Sequence, residues 1–167
     1  MAKPGLADVR SLPDPLQSQN FALFTNVPSP GGNARRLTLQ CQQAPLTGIS
    51  NDQVTVGLHG VEVMYQGRPM FEKTANLSFI ETRDTVIRDT MRGWIEFARN
   101  ARNNTGNYKK DYESTGDLVL YDDQYRPVKT VRHYGFYPNN MSEVSLDGSA
   151  SGAVLISVTF LFDFTSE

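Results

Sequence analysis

Apolar and polar side chains alternate over much of this chain, and a period of two marks β-strands. The last run is the longest. Across residues 153–164, Val154, Ile156, Val158, Phe160, Phe162 and Phe164 share one face, and Leu155, Ser157, Thr159, Leu161 and Asp163 share the other. A mainly apolar face opposite a mainly polar one predicts antiparallel sheet with one side on a core and one side wet. Residues 72–81 repeat the pattern, with Ala75, Leu77 and Phe79 against Asn76 and Ser78. Residues 20–27, with Phe21 and Leu23 in phase, and residues 36–42 predict two strands joined by a turn at 28–33. In the second of these, Leu37, Leu39 and Cys41 alternate with Arg36, Thr38, Gln40 and Gln42. Residues 43–53 read as a long loop carrying Leu46 and Ile49. The β-rich runs 54–56 and 61–65 are split by Gly57 and Gly60, and a turn is expected at 66–69. Residues 117–121 and 127–133 flank a turn to make a hairpin, and residues 135–150 read as a structured loop.

One segment changes period. Ile87, Met91, Trp94, Ile95 and Ala98 recur at helical spacing and predict a core-facing stripe on a helix over about 84–102. Asp84 is the expected N-cap. Asp84 and Asp89 near the start and Arg99 and Arg102 near the end suit the helix dipole. Residues 103–114 are polar and predict an exposed loop. The fold class is therefore α+β, mainly antiparallel β: a small β-barrel or two-sheet sandwich with one flanking helix. Residues 1–19, with Pro4, Gly5, Pro13 and Pro15, read as an extended N-terminal arm, and residues 20–167 as a single domain.

Composition narrows the function classes. The chain has 167 residues, 39% hydrophobic and 20% charged. That is too apolar for intrinsic disorder, and no apolar run reaches the ~18–20 residues of a membrane span. The first residues show no apolar stretch of the secretory type, so no leader is expected. Net charge is −2. Residues 1–113 carry 13 basic and 11 acidic side chains, and residues 114–167 carry 3 and 7. No strong basic patch of the nucleic-acid-binding kind stands out. Arg92, Arg99, Arg102, Lys109 and Lys110 are interleaved with Asp89, Glu96, Asp111 and Glu113, as on a solvated mixed face.

Candidate chemistry is sparse. Cys41 is the lone cysteine, so no intrachain disulfide forms, and its phase with two leucines reads as a small core hydrophobe. His59 and His133 are far apart in the chain and have no metal-ligand spacing. A Cys41/His133 nucleophile pair is the one catalytic alternative, since such partners meet in space and not in sequence. Phosphate-binding glycine loops and nucleophile elbows are absent. Asp122 and Asp123 read as a hairpin tip. No catalytic, cofactor or metal residues are assigned. Polar strand faces, apolar loop residues and low charge fit a protein that builds an interface.

The order of elements resembles the tail tube proteins of contractile-tailed bacteriophages, relatives of the type VI secretion tube protein. Four pieces carry the resemblance. The first is a run ending in Cys41 followed by Ala44, Pro45, Leu46, Thr47, Gly48 and Ile49. The second is Gly67-Arg68-Pro69-Met70-Phe71 leading into residues 74–80. The third is the helix with its central Trp94. The fourth is Gly135-Phe136-Tyr137-Pro138-Asn139 with Ser142, Val144 and Leu146 before the long closing strand.

The resemblance implies a non-enzymatic structural subunit without cofactors. Hexameric rings would stack into a hollow tube that conducts DNA during ejection, each subunit lending four strands to one continuous barrel. Implied partners are further copies of the chain, a sheath, baseplate or tube-initiator and terminator proteins, a tape measure protein in the lumen, and DNA in transient passage. The implied location is the virion tail, assembled in host cytoplasm, with no stable membrane association. On this reading Thr38, Gln40, Gln42, Ser157, Thr159 and Asp163 line the lumen, and Pro45, Leu46, Thr47, Gly48 and Ile49 make ring-to-ring contact. Alternatives are a tube-initiating baseplate protein, a tailocin or type VI-like tube subunit, and, in another class, a small β-barrel hydrolase or binding module using Cys41, His133 or Asp163.

Overall fold

The computed structural model describes residue 10 and residues 15–147, 149 and 151–166; most of the predicted arm lies outside them. The elements bounded within the described residues are nine strands and three helices, in chain order. They are β1 (Phe21–Thr25), α1 (Ala34–Gln40), β2 (Cys41–Gln43), β3 (Ile49–Leu58), β4 (Val61–Phe71), β5 (Thr74–Ile80), α2 (Val86–Ala98), α3 (Lys109–Tyr112), β6 (Ser114–Tyr121), β7 (Pro127–Met141), β8 (Leu155–Leu161) and β9 (Phe164–Ser166). Seven strands form one sheet in the order β1-β6-β7-β8-β5-β2, with β9 also on β7, and β3 and β4 form a sheet of their own. Every pairing is antiparallel.

The 15-residue β7 turns the sheet. Residues 127–136 pair with β6, whereas Tyr137 to Met141 pair with β8. The change of partner falls between Phe136 and Tyr137, just after Gly135, whose φ is +66°. A Cβ built there would lie 2.3 Å from a carboxylate oxygen of Asp163. The position therefore needs glycine twice, for its left-handed backbone and for the close approach. Gly135→Ala is expected to cost about 1–3 kcal/mol of folding free energy, read as a lowered denaturation midpoint. An unchanged midpoint would refute this account of the bend. Reading Gly135 and Pro138 as loop residues ended the strand too early, because glycine at a sheet corner and proline on a free strand edge are both compatible with β-structure.

One buried cluster fills the space between the sheet's inner face and α2. Phe160 lies at its centre, stacked on Phe136 at 4.4 Å between ring centroids, edge-on to Trp94 at 6.1 Å and tilted against Phe79 at 6.5 Å. Alternation in β5 and β8 buries Ala75, Leu77, Phe79, Ile156, Val158 and Phe160. In α2, Ile87, Met91 and Trp94 are buried, while Ile95 and Ala98 are half-buried. The Trp94 indole donates to the Tyr112 carbonyl at 2.7 Å, which ties α3 to α2.

Several local expectations are corrected. Residues 34–40 are helix, not strand, and β1 pairs with β6 instead of with residues 36–42. Leu37 and Cys41 are four residues apart, a spacing that fits both periods. Asn33 decides the matter locally, because its side chain accepts from the Arg36 N–H at 3.2 Å and caps the helix. As a result Leu37 is buried but Leu39 faces out.

The α2 start also differs. Thr85, with φ 50°, occupies the cap position without a side-chain cap bond. Glu81 from the end of β5 fills that role, accepting from the N–H groups of Ile87 at 3.3 Å and Arg88 at 2.8 Å. Asp84 instead pairs with Arg36 at 2.7 Å. A hydrogen bond from Thr82 is the main reason its carboxyl sits below the ordinary value.

At the other end α2 stops at Ala98, not near 102. The Asn107 side chain donates to the Phe97 carbonyl, and Arg99 bridges to Gly106. The predicted polar loop after it contains α3. The loop at 43–53 is shorter than expected, because β3 begins at Ile49. The turn at 66–69 lies inside β4, near a register shift between Asn51 and Gln53. The closing strand breaks at Phe162 and Asp163, where the Asp163 N–H donates to the Tyr134 carbonyl.

Candidate assembly surface

β3 and β4 form a two-stranded ribbon that pairs with no other described strand. Its tip is the two-residue turn His59–Gly60, both at positive φ, between the paired residues Leu58 and Val61. That is the hairpin geometry whose twist matches the flanking strands. Cross-strand partners share a face. Val54 pairs with Tyr65, Val56 with Val63 and Leu58 with Val61, so one face of the ribbon is apolar at three successive levels. Gln53 opposite Gln66, Thr55 opposite Met64 and Gly57 opposite Glu62 form the other, more polar face. The apolar face is not covered by the chain's own core: Leu58 is 58% exposed, Val61 63% and Tyr65 54%. A lone two-stranded hairpin is marginally stable in water, and a contiguous apolar patch marks an interaction surface.

Leu46 and Ile49 stand exposed at the base of this ribbon. Pro45, Leu46, Thr47 and Gly48 lie in the link between β2 and β3, and Ile49 opens β3 opposite Phe71.

A second surface is the outward face of β5 and β8. Ser78 and Ser157 hydroxyls meet at 3.3 Å, and Thr159 donates to Asn76 at 2.8 Å. Asn140 of β7 stands beside Thr159 in register. These residues make an uncharged polar ladder. Ser157 and Thr159 belong to it together with Asn76 and Ser78, which had been assigned to the polar side of their strand but not to a lining. The other four predicted lining residues are not part of the ladder. Thr38 and Gln40 lie on α1; Thr38 donates to the Ala34 carbonyl and Gln40 to the Thr82 hydroxyl. Gln42 is exposed on β2. Asp163 lies past the end of β8, where its carboxylate accepts from Lys109. That hydrogen bond is the main cause of the raised Lys109 pKa.

The sheet leaves edges open. It ends on β1 and β2. Among the described residues, the part of β7 beyond Phe136 also has no strand partner on the side away from β8. Between the two terminal strands runs an open cleft of about 810 Å³.

Cys41 and His133 are committed to different neighbours. Burial pushes the Cys41 thiol up to about 12, with an opposing hydrogen bond to the Gln43 carbonyl. A thiol held that far above neutral pH stays protonated and is a poor nucleophile. The buried His133 ring lies 3.1 Å through Nδ1 from the Gly116 carbonyl oxygen and edge-on to Phe162 at 4.7 Å. Among the described residues no group of three His, Cys, Asp or Glu side chains is placed to hold a metal.

Burial pushes the His133 pKa below its ordinary 6.5. The unfolded chain therefore binds a proton first as pH falls. Stability is expected to be level above about pH 6.5, to decline as pH drops below that value, and to level off below the folded-state pKa. Denaturation midpoints between pH 7.5 and 5 would show the decline, and His133→Phe would flatten it. An equal slope in both proteins would remove His133 as the cause.

An α+β scaffold with open edges among its described strands and an unsupported apolar ribbon presents surfaces suited to association. Comparison with known proteins identifies the family. The family model described as phage tail tube protein matches residues 14–164, and the chain belongs to that family of structural tube proteins. No curated protein shows significant sequence similarity to it.

Solved structures share the fold at low identity. A chain of the sheath-tube complex of the PVC extracellular contractile injection system, in its extended state, superposes with TM-score 0.64 at 13% identity, covering 98% of this chain and 97% of that one. A chain of the anti-feeding prophage baseplate superposes with TM-score 0.68 at 11% identity, covering 93% and 96%. A chain of the anti-feeding prophage tube-terminating cap gives 0.66 at 13%, covering 96% and 95%.

Proposed function

We propose that this tube subunit closes into hexameric rings that stack into a hollow conduit for DNA in a contractile phage tail. The observation that carries the assembly is the ribbon's apolar face, which the subunit's own core leaves uncovered. Residues 137–141 of β7 with β8, β5 and β2 make a four-stranded segment. That number supports one shared barrel to which each copy lends four strands. Pairing β2 of one copy with the open β7 edge of the next removes unsatisfied backbone groups, and closing the ring removes the last of them. Ring closure and stacking are heterologous contacts, one that closes and one that propagates.

The uncharged ladder of Asn76, Ser78, Ser157 and Thr159 is the lining favoured here, joined by Gln42. Without Lys or Arg it offers no counterion-releasing contact to phosphate, so nucleic acid slides without being held. Pro45, Leu46, Thr47, Gly48 and Ile49 sit at the ring-to-ring boundary on this reading. A sheath outside the tube, baseplate and terminator proteins at its ends and a tape measure protein inside complete the assembly. Neighbours from sheath-tube, baseplate and cap complexes support that setting. No helix among the described residues is long and apolar enough to cross a membrane.

Negative-stain microscopy of the purified chain at high concentration tests the proposal. Six-fold rings or stacked tubes are expected. A monomer at every concentration, alone and with a baseplate ring as seed, would refute it.

A further inference from the structure

The ribbon is not a regular ladder from base to tip. Between the pairs Asn51–Pro69 and Gln53–Gln66, β3 has one residue, Asp52, where β4 has two, Gly67 and Arg68. Two residues opposite one make a β-bulge, which bends the strand and increases its twist. The bulge divides the ribbon into a base, residues 49–51 with 69–71, and a tip half, residues 53–58 with 61–66.

The sequence holds this bulge in one geometry. A Cβ built on Gly67 would lie 2.9 Å from the Asp52 carbonyl oxygen, so the close approach of the two strands depends on glycine at that position. Gly67 is half-buried, whereas every other residue of β4 is exposed. Pro69 restricts Arg68 to extended backbone. On the facing strand the Asp52 carboxylate accepts from the Gln53 N–H at 2.8 Å.

A bend at this point has leverage. The ribbon pairs with no other described strand, so its own backbone sets the direction of its tip. The run from Gln53 to Leu58 is about 17 Å long at ~3.4 Å per residue. Each ~10° of bend therefore moves the tip by about 3 Å, close to one residue step along a strand. A regular ladder and a bulged one would carry the apolar face of the tip to different places on the copy that buries it.

We infer that the Gly67–Arg68 bulge is a positioning device for assembly: by fixing the direction of the ribbon it sets the rotation between successive rings of the tube. The inference rests on the tube reading and adds to it what determines the stacking angle. On that reading the β2 and β7 edges make the contact within a ring. The ribbon, whose base continues the ring-to-ring segment 45–49, is left to the contact between rings.

Deletion of Arg68 tests the inference. It removes the bulge and leaves a partner for every residue, because Gly67 then opposes Asp52 and the other pairs stay as they are. Amide hydrogen exchange on the free subunit shows whether β3 and β4 remain paired. Helical reconstruction from electron micrographs of assembled tubes gives the rotation per ring. Intact pairing is expected, with a rotation several degrees from native or with rings that no longer stack. Arg68→Ala keeps the bulge and removes only an exposed contact with Asp52 at 3.9 Å, so native rotation is expected.

Native rotation in the deletion variant would overturn the inference while leaving the tube reading intact. An equal shift in Arg68→Ala would overturn it too, by assigning the effect to the side chain. Loss of β3–β4 pairing in the deletion variant would mean that the bulge holds the ribbon together instead of aiming it. Absence of assembly in the native chain itself would instead remove the tube reading.

Discussion

Placing a carboxylate on each strand of the ribbon, Val56→Asp with Val63→Asp, is expected to leave a folded subunit that no longer forms tubes. The two positions pair directly, so the aspartates share the apolar face and repel one another. The rest of the fold is spared because neither ribbon strand joins the seven-stranded sheet. In the assembly each carboxylate would be buried against apolar side chains without a partner, a cost of several kcal/mol. The critical concentration for assembly should rise at least about a hundredfold, equivalent to ~2.7 kcal/mol. Sedimentation velocity over a concentration series measures this, with circular dichroism to confirm the fold. Assembly at the native concentration would mean that the face is not an interface. The same substitution on the polar side, Thr55→Asp, is expected to have a much smaller effect on assembly, which separates interface loss from a general effect of charge.

The second large effect concerns the core. Phe160→Ala removes a ring that contacts three other aromatic side chains and is fully buried. Truncating a buried phenylalanine costs about 3–5 kcal/mol, against a total stability of about 5–15 kcal/mol for a domain. The variant is therefore expected to be largely unfolded or to melt far below the native chain. Phe160→Leu keeps most of the buried area and should lose much less. Chemical denaturation of both variants gives the comparison. A loss under about 1 kcal/mol for alanine would show that the cluster collapses around the gap and that Phe160 is not central to it.

These two expectations draw on parts of the chain that differ in how openly their pattern shows. The core strands were legible. In residues 74–80 and 155–161 the burial of one face leaves alternate positions no choice but to be apolar, so period two appears directly. The α2 stripe was legible for the same reason at helical period, although its cap was not. Glu81 lies five residues before the helix, and only the path of the chain after β5 brings its carboxylate onto the helix N-terminus.

The ribbon was half legible. Its two β-rich runs stood out, but its pairing joins residues up to 22 apart, Ile49 with Phe71. The apolar face becomes visible only once register is known, because a slip of one residue would put the same side chains on opposite faces. Thr38 and Gln40 were misread because seven residues are too few to separate the two periods, and a capping asparagine outside the run decided the outcome. Asp163 was misread because its phase with β8 continues on paper through a break that the Tyr134 carbonyl and Lys109 create in space.

Local patterning thus sufficed for the fold class and the core faces of β5, β8 and α2, since each depends on neighbours within a few positions. The resemblance to tube proteins rested likewise on the order of short motifs along the chain. The bend of β7, the open edges, the uncharged ladder and the single apolar face of the ribbon required the folded chain. Each is set by which distant strands lie side by side, and pairing between strands far apart in sequence leaves no periodic trace within either strand.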